Sequence, residues 1–146
     1  MFETDSPADR HALARLAADR VGWLTTVTPD GQPQTAPVWF LWDAGSLLIY
    51  GDMLAKRNGN IAANPRVSFH LDGGRAGHDV VVIEGAAGVD ASAPALPDHA
   101  GYCARYADWI AASYGSPAGY AERYNVPIRI TPTRGRVWAP DAEAGA

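Results

Sequence analysis

VGWLTTVTPDGQPQTAPVWFLWDAGSLLIYGD, residues 21–52, decides the fold. VGWLTTVT is rich in β-branched and aromatic residues and reads as a strand. PDGQP is a turn signal, and QTAPVWFLWD reads as a second strand, so the two form a hairpin. Pro37 confines the second strand to an edge or a bulge, because proline cannot donate to the ladder. DAGS then turns the chain into a third strand, LLIYGD.

Working outward, residues 55–63 predict a helix, which Pro65 ends by disfavouring helical geometry at Asn64. RVSFHLDG is a fourth strand with Val67, Phe69 and Leu71 on one face. DVVVIEGAAGVD is a fifth, and its apolar run predicts burial on both faces. SAPALPDHAG is a connection with little helical character. Tyr102, Tyr106, Trp109 and Ile110 then recur at helical spacing and predict an amphipathic helix over residues 101–113. SPAGYAERY holds a shorter helical turn, and VPIRITPTRGRVW is the last strand. Upstream, Ser6-Pro7 opens a helix over residues 7–19. Short turns join most neighbouring strands. The expected fold is therefore mainly β: a small six-stranded antiparallel barrel with appended helices.

The length of 146 residues suggests one domain, 1–146, with residues 1–5 and 140–146 frayed. A net charge of −4 offers no global attraction to nucleic acid, so any anion site must be local. Cys103 is the single cysteine, which rules out an intrachain disulfide and fits a cytoplasmic setting. No apolar run approaches the ~20 residues needed to span a bilayer. The first residues lack the basic-then-apolar order of a secretory signal.

Most catalytic templates are absent. No Gly-x-Ser-x-Gly elbow or Walker loop occurs, and Cys103 reads as a core thiol. His11, His70, His78 and His99 show no metal-ligand spacing. Glu84 reads as a rim carboxylate bonded to backbone or to an arginine. The stretch YGDMLAKRNGNIAANPRVSF, residues 50–69, is different, because it gathers Lys56, Arg57, Asn58 and Asn60 at one strand-to-helix junction. Cations beside free helical N–H groups suit a phosphate. A solvated helix face is the plain alternative. The neighbouring strand carries Pro37, Trp39 and Trp42, a ladder break beside flat side chains, which suits an aromatic, phosphorylated cofactor.

GWLTTVTPDGQPQTAPVWFLWDAGSLLIYG, AKRNGNIAANPRVSFHLDG and DVVVIEGAAGVD, in that order, resemble the pyridoxamine 5′-phosphate oxidase-like family of split β-barrel flavin-binding proteins. The tail YNVPIRITPTRGRVW resembles the closing strand of the actinobacterial branch described as deazaflavin (coenzyme F420)-dependent reductases.

The resemblance implies a six-stranded FMN-binding type split barrel with flanking helices. It implies F420 as cofactor, with FMN as the alternative, and hydride transfer to a small-molecule substrate. Lys56, Arg57 or both would take the cofactor phosphate, and Asn58 and Asn60 would donate further bonds. Thr35, Pro37, Val38 and Trp39 would lie along the ring, and Trp39 is either a ring neighbour or a core residue. The family's site lies at a homodimer interface, so Arg136 or Trp138 would arrive from the second chain. The substrate motif of the vitamin-oxidising members is not identifiable here. Three classes of function stay open: a deazaflavin-dependent oxidoreductase, an FMN-binding reductase or oxidase, and a non-catalytic protein that binds a cofactor or haem.

Overall fold

The computed structural model describes residues 1–139; the expectation of fraying over 140–146 lies outside them. In chain order the elements are α1 (Pro7–Ala18), β1 (Val21–Val27), β2 (Pro33–Trp39), β3 (Leu41–Asp43), β4 (Ser46–Asp52), α2 (Arg57–Ala63), β5 (Arg66–His70), β6 (Val80–Val89), α3 (Ala100–Arg105), α4 (Ala107–Tyr114), α5 (Pro117–Ala121) and β7 (Tyr124–Trp138). A short 3₁₀ turn, Leu96–Asp98, lies in the connection read as non-helical.

The strands form one sheet of order β2-β1-β5-β6-β7-β4-β3, with every pair antiparallel. Its two edges, β2 and β3, are consecutive in sequence, so the sheet curls into a half-barrel. Pro37 sits on an edge strand, as proline requires, in a continuous register opposite Trp23.

The sheet has seven strands where the sequence predicts six, because QTAPVWFLWD divides at Phe40. The cause is a distant side chain. The Tyr106 hydroxyl accepts from the Phe40 amide at 2.8 Å, and its own hydrogen faces the Phe40 carbonyl at 2.8 Å and the Arg20 carbonyl at 2.7 Å. Phe40's main chain is thereby satisfied without a strand neighbour. The same tyrosine marks the break in the expected helix over 101–113. Its backbone, at φ −116° and ψ 16°, separates α3 from α4.

Two apolar clusters share β4. Leu47 and Ile49 face the barrel interior with Phe40, Phe69 and Ile83, while Leu48 and Tyr50 face Tyr102, Tyr106 and Ile110 of the helices. Thus β4 is the strand buried on both faces. β6, expected to be so, alternates: Val81 and Ile83 are buried, whereas Val80, Val82 and Glu84 are half-exposed. Gly22 permits the close packing of β1 on β5, since a Cβ there would lie 2.2 Å from the Phe69 ring.

Residues 1–5, expected to be frayed, make contacts with the rest of the chain. Phe2 packs on Trp42 with ring centroids 5.6 Å apart, and the Thr4 carbonyl accepts from Arg10 Nη1 at 2.7 Å. At the other end of α1, Arg105 donates to the carbonyls of Leu16, Ala17 and Asp19, which satisfies acceptors that a helix end leaves free. Among the described residues no helix is long and apolar enough to cross a membrane.

Candidate functional site

Two clefts open along the edge strand β2. The larger, about 350 Å³, lies between β2 and β4 on one side and α4, α5 and the start of β7 on the other. Its walls are Val21, Pro37, Val38, Trp39, Ile49 and Tyr50, with Tyr114, Tyr120 and Tyr124 facing them. The smaller, about 190 Å³, lies between β2 and the start of α2. Gln34, Thr35, Thr26 and Lys56 give it a polar lining. Arg57 lines both clefts.

The larger cleft is shaped by stacked rings. Tyr106 stacks on Trp39 at 4.7 Å and 8°, Trp39 on Tyr120 at 4.9 Å and 5°, and Tyr120 on Tyr124 at 4.5 Å and 9°. Trp39 is therefore both a core residue and part of the cleft wall. Ser6-Pro7 and Ser116-Pro117 open their helices in the same way: the Ser116 hydroxyl caps α5 by accepting from the Gly119 amide. That cap fixes the turn from which Tyr120 enters the stack. Burial and the neighbouring phenols push the Tyr120 hydroxyl well above the usual tyrosine range, so it stays protonated at any physiological pH.

The structure divides the basic junction that the sequence left undivided. Lys56 is exposed at the N-cap of α2, and no ion pair engages it among the described residues. Arg57 is half-buried, and desolvation lowers its pKa. Its Nε is buried without a hydrogen-bond partner. Asn58 and Asn60, expected to donate to a ligand, have structural duties instead. Asn58 Nδ2 donates to the Asp52 carbonyl at 3.0 Å. Asn60 is buried, and its Nδ2 donates to Thr26 Oγ1 at 3.0 Å and Gln34 Oε1 at 2.9 Å. Asn60 thus ties α2 to β1 and β2 and positions the Gln34 side chain in the smaller cleft.

Along β2, Thr35 lines the smaller cleft, with its hydroxyl 2.7 Å from that of Thr25, and Pro37, Val38 and Trp39 line the larger. The Val38 side chain belongs to the barrel core. As an edge strand, β2 has main-chain groups on its outer side with no ladder partner, and these border the clefts.

Arg136 and Trp138 line neither cleft of their own chain. Arg136 pairs with Glu84 at 3.2 Å, and Trp138 packs on His78 with centroids 5.2 Å apart. Both lie on the outer face of the sheet, which carries a broader apolar depression of about 570 Å³ bordered by Val27, Pro65 and Gly85. Among the described residues no cluster of His, Cys, Asp and Glu has a metal-binding arrangement. Sequence reasoning missed Tyr114, Tyr120 and Tyr124. The available signal was the pair Tyr120 and Tyr124 just after a Ser-Pro helix start, on the turn that precedes the last strand.

Comparison with known proteins gives one family and a set of structural neighbours. The family model described as pyridoxamine 5′-phosphate oxidase matches residues 8–139. A solved structure called F420 reductase is similar at 28% identity and TM-score 0.62, covering 84% of this chain and 94% of its own. A FAD-binding protein from Mesorhizobium loti is similar at 25% identity and TM-score 0.54, covering 86% and 90% respectively. The haem storage protein HutZ from Vibrio cholerae shares the fold at 17% identity and TM-score 0.59, covering 86% and 92%. No curated protein matches the sequence.

Proposed function

The chain belongs to the pyridoxamine 5′-phosphate oxidase family of split-barrel, flavin-binding proteins, and from that premise we propose that it is a deazaflavin (coenzyme F420)-dependent oxidoreductase that reduces a small organic acceptor by hydride transfer. The supporting observation is the pair of clefts sharing one wall, β2, and one cation, Arg57. A cleft bearing ammonium, hydroxyl and amide groups beside an aromatic one matches a cofactor that has a phosphate at one end and a flat ring at the other. The likeness to an F420 reductase favours the deazaflavin. The FAD-binding neighbour keeps an FMN-type cofactor as the second reading. A haem would call for an axial ligand, and with no histidine, cysteine or methionine in either lining that ligand would have to be a tyrosine of the larger cleft.

When bound, the cofactor would supply the redox chemistry on its own ring. Lys56, Thr35 and Gln34 would hold the phosphate, Lys56 by a charge-assisted bond and the other two by neutral ones. The free edge of β2 from Thr35 to Trp39 would meet the ring's polar rim with main-chain groups. Pro37 and Val38 would support its face, and Tyr114, Tyr120 and Tyr124 would exclude water from the reacting side.

We also propose a homodimer built on the outer face. Pro37, Trp23, His70, Val82 and Arg136 form one row across β2, β1, β5, β6 and β7. Trp23 is 39% exposed and Trp138 43%. A two-fold axis parallel to the strands would set Arg136 and Trp138 of one copy over the β2 wall of the other.

The test is side-by-side titration of purified protein with F420 and FMN, read by absorbance and fluorescence. F420 should bind, and Lys56→Ala should weaken it about ten- to a hundred-fold without lowering the melting temperature. Tight FMN retention with no F420 binding would replace the deazaflavin by the flavin reading.

A further inference from the structure

Arg57 is unlike the other perturbed arginines of this protein. Arg15, Arg20, Arg123 and Arg129 are each ion-paired with aspartates, and each has its pKa raised. Arg57 has no such pair among the described residues. The acid on the preceding strand, Asp52, is already engaged. It accepts from Arg123 at 2.8 Å and from the Leu54 amide at 2.8 Å. A guanidinium does not discharge at neutral pH. The chain therefore holds a partly buried cation whose nearest counter-charge, Asp52, forms its ion pair with Arg123 instead, an arrangement that costs stability.

The direction of the side chain shows where that charge is presented. A Cβ on Gly51 would lie 3.7 Å from Arg57 Nη2, so the guanidinium crosses β4 where the strand is bare. Its electrostatic neighbours are Asp52 and then Tyr120 and Tyr124, and the two tyrosines line the larger cleft. Arg57 is the only charged residue in that lining, and the remainder is rings and aliphatic groups. The stacked column can present only ring edges here, because both faces of Tyr120 are taken, by Trp39 at 4.9 Å and by Tyr124 at 4.5 Å.

We infer that the larger cleft takes an aromatic molecule bearing a carboxylate, with the Arg57 guanidinium as its receptor and the tyrosine wall as its apolar surroundings. This rests on the proposed function in one respect: such an acid is the class of acceptor that would lie beside the cofactor ring. The phosphate of the cofactor is then left to Lys56 in the smaller cleft. A guanidinium fork suits a carboxylate because two parallel N–H donors match its two oxygens.

The experiment uses 2-naphthoate and its neutral amide, 2-naphthamide, as probes, with calorimetry on the whole chain, both free and saturated with F420 or FMN. The acid should bind at least about tenfold more tightly than the amide, and Arg57→Met should remove that preference while leaving amide affinity unchanged. Arg57→Lys, which keeps the charge and loses the fork, should retain part of the preference. Arg57→Met should also melt no lower than wild type without ligand, because it removes an unpaired charge. A lower melting temperature would mark Arg57 as a structural cation and overturn the inference. Equal affinity for acid and amide would overturn it, as would displacement of 2-naphthoate by saturating cofactor, which would show that a ring on the β2 wall leaves no room for an acid beside the tyrosines. An intact acid preference in a protein that binds neither F420 nor FMN would sustain the inference and defeat the cofactor reading alone.

Discussion

The face of the sheet that points away from the barrel interior carries large aromatic side chains in two regions, but only one is covered by the chain's own helices. On the helical side, Tyr102 and Tyr106 are fully buried beneath α3–α5, and the ring column runs through them to Tyr124. In the bare region, Trp23 and Trp138 are exposed near His70 and Val82. The difference lies in the connections. The segment between β6 and β7 supplies three helices over β4, whereas α1 and α2, which precede β1 and β5, pack into the barrel core through Leu16 and Ile61. A covered face with one gap makes a concave cleft, which suits a small molecule. A flat face with exposed tryptophans suits a second protein surface.

The largest effect should come from breaking the covered side. Tyr120→Ala removes a buried ring stacked on both Trp39 and Tyr124. It should cost about 3–5 kcal/mol, read as a fall in denaturation midpoint. Trp23→Ala, on the bare side, should cost the isolated protomer far less. Equal losses would show that the two regions are not different in kind. Next comes the bare side itself. Trp23→Glu should leave the fold intact by circular dichroism and raise the dimer dissociation constant by at least about 2 kcal/mol equivalent in light scattering. A dimer unaffected by that charge would place the second copy elsewhere.

A smaller effect separates the aromatic surface of Tyr106 from its hydroxyl. Tyr106→Phe keeps the stacking on Trp39 and leaves the buried Phe40 amide without its acceptor. The expected loss is about 1–3 kcal/mol, with faster amide exchange at Phe40. No change would mean that the β2–β3 break is held by packing alone.

That residue also shows why the sequence was read well in some places and badly in others. β1, β4 and β5 are legible because turn chemistry and alternation act within a few residues of each strand. The break at Phe40 is not, since its cause stands 66 residues away. Lys56 and Arg57 are visible as a pair of cations, but their division between two clefts depends on Gly51 of the neighbouring strand and on tyrosines from α5 and β7. Asn60 looks like a ligand donor by residue type, and only the fold shows Thr26 and Gln34 taking its amide. Tyr114, Tyr120 and Tyr124 read as ordinary helical and strand aromatics until the stack is seen. β6 misleads for a related reason: its run of valines is apolar on both faces, and the uncovered face reaches neither helix nor core.

The smallest effect concerns the rim of the bare face. Asp79 ends the loop between β5 and β6, one residue after His78, which packs on Trp138. Its carboxylate takes His11 Nε2 at 2.8 Å and Arg15 Nη1 at 3.1 Å, pinning that loop to α1. Partial burial pushes the Asp79 pKa up, but the bonds and charges of His11 and Arg15 outweigh it and hold the carboxyl below the usual range. A carboxyl depressed in the folded state contributes stability above its unfolded value, near pH 4, and loses it as pH falls through the lower folded value. The group is about a third exposed, so solvent screening limits the contribution to under about 1 kcal/mol. Asp79→Asn should therefore lower the melting temperature slightly at pH 7, and the gap from wild type should close below about pH 4. A gap that stays constant down to pH 2 would show that Asp79 acts through hydrogen bonding that asparagine cannot replace rather than through its charge. The rim of the bare face would then be fixed by geometry, independent of pH.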